Sequence, residues 1–380
     1  MTEVYAVGVG MTRFGKYPDR DAFDLGAEAS LAAIKDAGID PRAIDGAYFG
    51  HVYQGMNAGQ RVTGHIGISG IPVTNVENVC SSGATAIREA SIAIRAGEHD
   101  VVLAVGLEHL SSKFKGALAP EEGDIEGAVG LTMPGVYAMR AKRYLTDFGL
   151  THAQLGMVSV KNKANAAMNP VAMYHKIVTL EEVLASRPIA EPLNLMECSP
   201  VSDGAAAVIL MSGEKARQLG MGRAVRLAAS SLRSGKVESE PSSMTFEPLT
   251  RETANAAYEV AGIGPEDVDF AEVHDCFSIA EALRVEGLGL FEQGTYLLAV
   301  GRGEAHINGR LPINPSGGLL GKGHPLGATG AAQVVEVVRQ LRGEAGTRQI
   351  SSPSIGVAHC RGGKAAGVEG AACTVQILVR

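Results

Sequence analysis

The cysteine at position 80 is the side chain of this sequence best placed to attack a substrate. An apolar, strand-like run over residues 73–79 ends at Cys80, and Ser81 and a helical stretch follow at once. A thiol at the N-terminus of a helix faces unpaired backbone N–H groups and the positive end of the helix dipole, which favour the thiolate. We therefore predict that Cys80 is a nucleophile. A small buried residue at a strand–helix junction is the alternative that the position leaves open.

A histidine in a glycine-rich segment is a candidate base for that thiol. His324 lies within residues 314–330, which contain six glycines and place Pro325 directly after the imidazole. The glycines let the backbone approach a ligand closely, and the proline fixes the direction of the chain. An imidazole there could take the proton of a nucleophilic thiol. The alternative is a loop histidine with a structural hydrogen bond.

Two further segments bring histidine and cysteine to the ends of apolar runs. His274 and Cys276 follow one strand-like run, and Cys360 follows another, two residues before Gly362. Open α/β sheets bind ligands at the carboxyl ends of their strands, so we expect these side chains at one site. Alternation along an extended segment places His274 and Cys276 on the same side. Cys360 and the N–H groups near Gly362 could supply an acid/base thiol and an oxyanion donor.

Composition narrows the class of protein. The chain has 380 residues, 46% of them hydrophobic, which is enough for two or three packed units. With 48 glycines and 5% aromatic residues, it suits an α/β protein with many tight turns. A net charge of -7 excludes the basic surface typical of nucleic-acid binders. No apolar run approaches the roughly 20 residues that span a bilayer, and no signal peptide is predicted, so we expect a cytoplasmic protein.

The five cysteines are odd in number and widely scattered, without a CxxC pair. This pattern argues against a disulfide framework and against a metal site, so reduced thiols are expected. Cys198 and Cys373 are predicted to be structural.

The elements that must position these residues fall into three parts. Strand-like and helix-like segments alternate over roughly the first hundred residues, which predicts a mostly parallel sheet covered by helices. Residues 111–200 are instead typical of a long insertion with two polar helices, and alternation then resumes. Gly83–Ala84–Thr85 and Gly327–Ala328–Thr329 each lie beside a candidate catalytic residue, and a final helix is predicted after Gly330. The shared tripeptide is a hint of internal duplication.

Taken together, the motifs resemble those of the thiolase superfamily, and specifically the thiolases of the sterol carrier protein type. The resemblance covers essentially the whole chain: the Cys80 segment, Ser-Asp-Gly-Ala-Ala-Ala at 202–207, His-Asp-Cys-Phe at 274–277 and Gly-His-Pro-Leu-Gly-Ala-Thr-Gly at 323–330. Other thiolases carry Asn-Glu-Ala-Phe in place of the His-Asp-Cys-Phe quartet. The last two motifs are highly specific. No sterol-carrier domain is expected after residue 380.

This resemblance implies an α/β protein with a five-layered α-β-α-β-α fold of two similar halves and an inserted loop domain that covers coenzyme A. We assign residues 1–110 plus 201–220 to the N-terminal half, 111–200 to the loop domain and 221–380 to the C-terminal half.

The resemblance also implies the catalytic roles. Cys80 would become acylated, and His324 would activate it and hold a thioester oxygen together with His274. A second oxyanion hole would use the backbone N–H groups of Cys80 and Gly362.

One position departs from the family pattern. Thiolases of the sterol carrier protein type usually have His-Asn in the last motif, whereas this chain has His359–Cys360, closer to the Cys-x-Gly of other thiolases. Two thiols, Cys276 and Cys360, therefore compete for the acid/base role. We favour Cys360, because it alone is placed as in the Cys-x-Gly enzymes.

The implied reaction is a ping-pong acyl transfer: thiolytic cleavage of a 3-oxoacyl-CoA, or the reverse Claisen condensation. Coenzyme A is then a substrate, and no permanently bound cofactor or metal is expected. Because coenzyme A is polyanionic and the chain is acidic, we expect basic residues of the insertion to contact its phosphates: Lys161, Lys163, Lys176 and Arg187.

Two other functions stay open. One is decarboxylative condensation of the ketosynthase kind. The other is a subunit that works with a small partner carrying an OB-fold and a zinc ribbon; relatives that became aldolases have lost the nucleophile, which this chain keeps. A homodimer or tetramer is expected, with no nucleic-acid or membrane partner. The acyl chain, lipid or aromatic, is not defined.

Overall fold

The computed structural model describes residues 2–116, 118, 124–236 and 243–380. The strands of these residues, in chain order, are β1 Val4–Met11, β2 Gly46–Gly50, β3 Val73–Val76, β4 Val101–His109, β5 Pro188–Ala190, β6 Leu193–Asn194, β7 Asp203–Ser212, β8 Val225–Arg233, β9 Phe270–Glu272, β10 Ile355–Gly362 and β11 Ala372–Val379.

The helices, in chain order, are α1 Ala22–Ala37, α2 Ala58–His65, α3 Ser82–Ala96, α4 Ile125–Ala128, α5 Met133–Asp147, α6 His152–Ala167, α7 Leu180–Leu184, α8 Gly213–Gln218, α9 Pro248–Ala261, α10 Ser278–Gly287, α11 Tyr296–Gly301, α12 Gly318–Lys322 and α13 Leu326–Arg342. Short 3₁₀ turns occur at Pro41–Ala43, Val79–Ser81, Leu195–Glu197, Pro265–Asp267 and Gly346–Arg348.

Nine strands form one sheet in the order β3-β2-β4-β7-β1-β8-β11-β10-β9, and β5 and β6 form a separate hairpin. The sheet consists of two halves that meet where β1 and β8 pair, through Tyr5 and Ala6. In one half, β1 and β4 both pair antiparallel to β7. In the other half, β8 and β10 both pair antiparallel to β11. Strand β2 then pairs parallel to β4, and β9 pairs parallel to β10. The same order in both halves confirms the predicted internal duplication.

The predicted parallel arrangement is confirmed for the strands of the first hundred residues that pair with one another, since β3 and β4 both pair parallel to β2, but the whole nine-stranded sheet is mixed. Five strand pairings are antiparallel and three are parallel. The alternation of elements along the sequence does not record strand direction, and the closing strand of each half runs back between two strands of the opposite direction.

Helices cover both faces of each half. Helix α1 packs on β1, β4 and β7, whereas α9 packs on β8 and β11, on the outside of the other half. Helices α3 and α13 lie between the halves, where α13 contacts both β7 and β10. Three buried apolar clusters fill the spaces between these layers. The predicted five-layered α-β-α-β-α architecture is therefore confirmed.

The two central helices approach backbone to backbone near their N-termini. A Cβ atom placed at Gly83 would lie 2.6 Å from the carbonyl oxygen of Gly327, and one placed at Gly330 would lie 2.7 Å from the backbone nitrogen of Ala84. Only glycine permits such an approach. The two Gly-Ala-Thr segments thus meet at the contact between the halves. Helix α13 begins at Leu326, ahead of the start predicted from Gly330.

The segment 111–200 lies outside the main sheet. Its described residues supply α4 to α7 and the β5–β6 hairpin, and α6 packs against α10, α11 and α12. The boundaries assigned to the two halves and to this insertion stay a prediction. None of the helices in the described ranges is long and apolar enough to cross a membrane.

Candidate active site

Cys80 lies in a strained turn between β3 and α3. Val79, directly before it, has a φ of 49°, which a β-branched residue rarely adopts. Such a conformation costs on the order of 1–3 kcal/mol and persists only where neighbouring structure enforces it. Part of that structure is the end of β10, since a Cβ atom at Gly362 would lie 1.9 Å from the carbonyl oxygen of Asn78. The packing of these two segments orients the thiol.

Four of the predicted residues converge on one point. The Cys80 sulfur and one ring nitrogen each of His274 and His324 lie within 4.8 Å of one another. The two imidazole rings are nearly perpendicular, at 85°, with centroids 5.0 Å apart. The Cys360 sulfur lies 3.3 Å from His274 Nδ1, and its thiol donates to the Cys80 carbonyl oxygen at 3.0 Å. Segments distant in sequence therefore form one cluster of two thiols and two imidazoles.

His324 is held in one tautomer by its neighbours. The Thr329 hydroxyl donates to the carbonyl oxygen of Pro325 at 3.0 Å and lies 2.7 Å from His324 Nδ1. The hydroxyl has only one proton, and it donates that proton to Pro325. The hydrogen between Thr329 Oγ1 and His324 Nδ1 must therefore be carried by Nδ1. Nε2 is therefore an acceptor in the neutral ring. The backbone N–H of His324 also donates to Ser202 Oγ at 2.7 Å, which fixes the start of the segment.

Burial keeps both reacting groups neutral. Burial, reinforced by the nearby Cys360 and Cys276, raises the pKa of the Cys80 thiol well above its usual range, against the opposing effect of the Gly363 backbone N–H. Burial also lowers the pKa of His324 to about 3. The expectation of a resting thiolate is therefore wrong, because the cost of burying a charge outweighs the helix terminus. The site rests as a neutral thiol beside a neutral imidazole.

The pH dependence of alkylation should show this raised pKa. The rate at which iodoacetamide modifies Cys80 should keep rising with pH beyond about 8.5, where a free cysteine is half ionised. The thiolate is the reacting species, so its fraction sets the rate. Mass spectrometry of the peptide containing Cys80 measures the rate, with a free cysteine peptide as the reference. A rate that levels off at a lower pH than that of the reference peptide would show a depressed Cys80 pKa and would support a resting thiolate.

Cys276 lies near this cluster but has other contacts. Its buried thiol takes a hydrogen bond from the Tyr137 hydroxyl, and the ring of Tyr137 stacks on Phe277 at 4.7 Å. Of the two competing thiols, Cys360 is the one that contacts both His274 and the Cys80 backbone. The predicted structural cysteines lie apart: Cys198 donates to Asn194 O at 3.4 Å, and Cys373 contacts His359 Nε2 at 3.4 Å.

Two of the predicted coenzyme A contacts are wrong. Lys161 is buried, forms an ion pair with Glu281 at 3.1 Å and donates to Ile313 O at 2.8 Å. Lys163 is also buried and donates to Leu320 O at 3.1 Å, and burial lowers its pKa to about 8. Both ammonium groups anchor α6 to the protein interior and do not reach a phosphate in solvent.

The other two predicted contacts are exposed. Lys176 is paired with Glu182 at 2.6 Å, and Arg187 lies beside the β5–β6 hairpin. Both stay predictions, as do the oxyanion roles of the Cys80 and Gly362 amides.

Two buried carboxylates that the sequence analysis missed hold the site together. Glu108, at the end of β4, accepts the backbone N–H groups of Val52, Tyr53 and Gly327, each at 3.0 Å. Asp275 accepts the backbone N–H of Leu319 at 2.7 Å and thereby anchors the glycine-rich segment. An acidic residue at the end of a fully apolar strand was the available signal for Glu108, because such a carboxylate needs partners.

Comparison with known proteins decides the family. The model "Thiolase, N-terminal domain" matches residues 4–214, and "Thiolase C-terminal domain-like" matches residues 229–371. The chain belongs to the thiolase family. The predicted enzyme class is confirmed with it: this thiolase is an acyltransferase that works through a cysteine acyl-enzyme, in thiolytic cleavage or Claisen condensation, with coenzyme A as a substrate.

Full-length relatives support this assignment. The chain is 42% identical over 372 residues to an acetyl-CoA acetyltransferase of Methanothermobacter thermautotrophicus, covering 96% of this chain and 97% of the relative. It is 40% identical to the benzoylsuccinyl-CoA thiolase subunit BbsB of Thauera aromatica, covering 98% of each. Human sterol carrier protein 2 is 37% identical, covering 94% of this thiolase and 70% of that protein.

Solved structures share the fold. An Ltp2-ChsH2(DUF35) aldolase superposes with a TM-score of 0.86 at 27% identity, covering 99% of this chain and 97% of that one. Human mitochondrial 3-ketoacyl-CoA thiolase superposes with a TM-score of 0.75 at 20% identity, covering 100% and 98%.

Proposed function

We propose that this thiolase cleaves 3-oxoacyl-CoA, or forms it in reverse, with Cys80 as the nucleophile and His324 as its base. The proposal rests on the cluster within which the Cys80 sulfur and a ring nitrogen of His324 lie within 4.8 Å of each other. In cleavage, Cys80 attacks the 3-oxo carbonyl carbon while its proton passes to His324 Nε2. The protonated nitrogen then donates to the thioester oxygen of the departing enolate. Preorganised donors of this kind are typically worth about 3–4 kcal/mol each.

Cys360 then acts as the acid. As the bond between C2 and C3 of the substrate breaks, the electron pair forms the enolate of acetyl-CoA, and the Cys360 thiol protonates C2. In the second half-reaction, the Cys360 thiolate takes the proton of an incoming coenzyme A, whose sulfur attacks the acyl carbon. The bond from that carbon to Cys80 breaks, and the Cys80 sulfur recovers its proton from His324. The contacts of Cys360 with His274 and with the Cys80 carbonyl support its choice over Cys276.

Parallel assays separate thiolysis from the ketosynthase alternative. With coenzyme A present, 3-oxoacyl-CoA thioesters with aliphatic or aromatic acyl groups should be converted to acetyl-CoA and the shortened acyl-CoA, identified by mass spectrometry. Malonyl-CoA should release no CO₂, because nothing in the proposed mechanism decarboxylates it. Release of CO₂ without thiolysis would instead establish the condensing enzyme. The same panel of substrates defines the acyl chain, lipid or aromatic.

The homo-oligomer, a dimer or tetramer, would be built on the edge of the sheet. Strand β3 occupies that edge and, among the described strands, pairs only with β2. A second copy could extend the sheet there. Because Cys80 follows β3 closely in sequence, such an interface would lie beside the nucleophile. The mass of the protein in solution tests the proposal.

A small partner protein remains an alternative to a self-sufficient enzyme. The relative BbsB is described as a subunit, and the aldolase neighbour is described together with a DUF35 protein. These names support a search for a partner with an OB-fold and a zinc ribbon by co-purification from the native host. The cytoplasmic location is likewise a proposal.

A further inference from the structure

Three arginines surround a single buried glutamate beside the catalytic cluster. Arg140 of α5 and Arg361 of β10 contact Glu247 Oε1 at 2.6 and 2.8 Å, and Arg284 of α10 contacts the same oxygen. The exposed fractions are 1% for Arg140, 0% for Arg284, 7% for Arg361 and 3% for Glu247. Within the part of the chain that the structure describes, three cations against one anion leave two buried positive charges in excess.

The remaining contacts of these guanidinium groups do not supply the missing negative charge. Arg140 donates to the carbonyl oxygens of Met244 at 3.0 Å and Phe246 at 3.1 Å. Arg284 and Arg361 likewise donate to neutral oxygens, and among the described residues the Nε atom of each has no hydrogen-bond partner. Uncompensated buried charge is costly, so an anion that completes the cluster would be bound favourably.

A solvent-open cavity reaches this cluster. It is small, and Tyr137, Arg140, Arg361 and Gly363 are among its lining residues. Among the described residues, carboxylates also lie at this cavity. Lys364 there is paired with Asp124 at 3.1 Å and Glu126 at 2.8 Å, and Glu369 also borders the cavity.

The cavity adjoins the reacting sulfur. The backbone N–H of Gly363, one of its lining residues, contacts the Cys80 thiol. Tyr137, another lining residue, contacts the thiol of Cys276. An anion in the cavity would therefore sit close to the acyl group carried by Cys80. The phosphates of coenzyme A are separated from its sulfur by the whole pantetheine arm, which favours a charge on the acyl group.

We propose that this cavity binds a carboxylate on the acyl chain, so that the preferred substrates are coenzyme A thioesters of 3-oxo dicarboxylic acids. Guanidinium groups pair with carboxylates through strong, charge-assisted hydrogen bonds. The inference rests on the proposed thiolase reaction and adds to it the substrate class.

The test compares two substrates of equal chain length, 3-oxoadipyl-CoA with a terminal carboxylate and 3-oxohexanoyl-CoA with a terminal methyl group. We expect kcat/KM for the carboxylate to be higher by at least about tenfold, because the neutral chain leaves the cluster without its anion. Arg361→Gln should remove most of that preference, measured as the ratio of the two kcat/KM values. The matched control Arg143→Gln, on the exposed face of α5, should keep the preference.

The other outcomes distinguish failure of this inference from failure of the proposed thiolase reaction. Equal kcat/KM values for the two substrates in the wild-type enzyme would overturn the inference and leave the thiolase reaction intact, and this result does not depend on any variant folding. A failure of every thioester to acylate Cys80 would overturn the proposed function and the inference together. If Arg361→Gln instead raises KM for both thioesters by the same factor, the cluster binds the coenzyme A moiety and the acyl assignment is wrong.

Discussion

A Cys80→Ser variant should form no acyl-enzyme and should lose at least about four orders of magnitude in thiolysis rate. Burial already raises the pKa of the thiol, and a hydroxyl is a far weaker acid. The neutral His324, whose pKa is lowered to about 3, is too weak a base to activate a hydroxyl. Intact-protein mass spectrometry after incubation with acyl-CoA measures the loss directly.

Cys198→Ser is the matched control. Its thiol donates to the carbonyl oxygen of Asn194 and is not part of the cluster of Cys80, His274 and His324, so the variant should still be acylated. A Cys80→Ser protein that gains the acyl mass through a thioester would show that another cysteine is the nucleophile. Acylation of Cys80 in the control, located by peptide mapping, completes the assignment.

A Cys360→Ala variant should still become acylated but should lose exchange of the α-protons of acetyl-CoA with deuterium. Removing a general acid or base typically costs about 10²–10⁴-fold in rate. Acylation needs only Cys80 and His324, whereas exchange needs a base at C2 of the bound thioester. NMR of acetyl-CoA in D₂O, with acyl labelling measured in parallel, separates the two steps.

Cys276→Ala provides the comparison for this second experiment. Its thiol contacts the Tyr137 hydroxyl, so exchange should persist in this variant. If exchange instead survives in Cys360→Ala and disappears in Cys276→Ala, the acid/base role belongs to Cys276. The thiol of the His-Asp-Cys-Phe quartet would then act in place of the one in the last motif.

The residues of the site could be predicted because each belongs to a short segment with its own signal. Cys80, His324 and Cys360 each lie at the junction of an apolar run or helix with small, flexible residues, and the motifs around them resemble one family. Local patterns of this kind survive without knowledge of the fold. Their convergence followed from placing ligands at the ends of strands.

The protonation state and the lysine contacts depend on long-range burial, which the sequence does not display. Lys161 and Lys163 look like surface charges on a polar helix, but α6 packs against α11 and α12 and covers both. The Glu281 carboxylate that neutralises Lys161 is distant in sequence. In the same way, the sequence indicates the helix terminus at Cys80 but not the surrounding groups that bury the thiol and raise its pKa. The reversed direction of β7 and β11 was not predicted for a related reason, since it depends on which strands become neighbours.

The glycine contact between α3 and α13 has a consequence for how the enzyme can move. Cys80 lies just before α3, and His324 lies just before α13. The two helices touch where Gly83 approaches the carbonyl oxygen of Gly327. The distance between the Cys80 sulfur and His324 is therefore fixed by direct contact between two helix backbones and not by the conformation of a loop. A rotation of one half of the molecule against the other would separate the Cys80 sulfur from His324, so this contact holds the nucleophile and its base in one rigid frame.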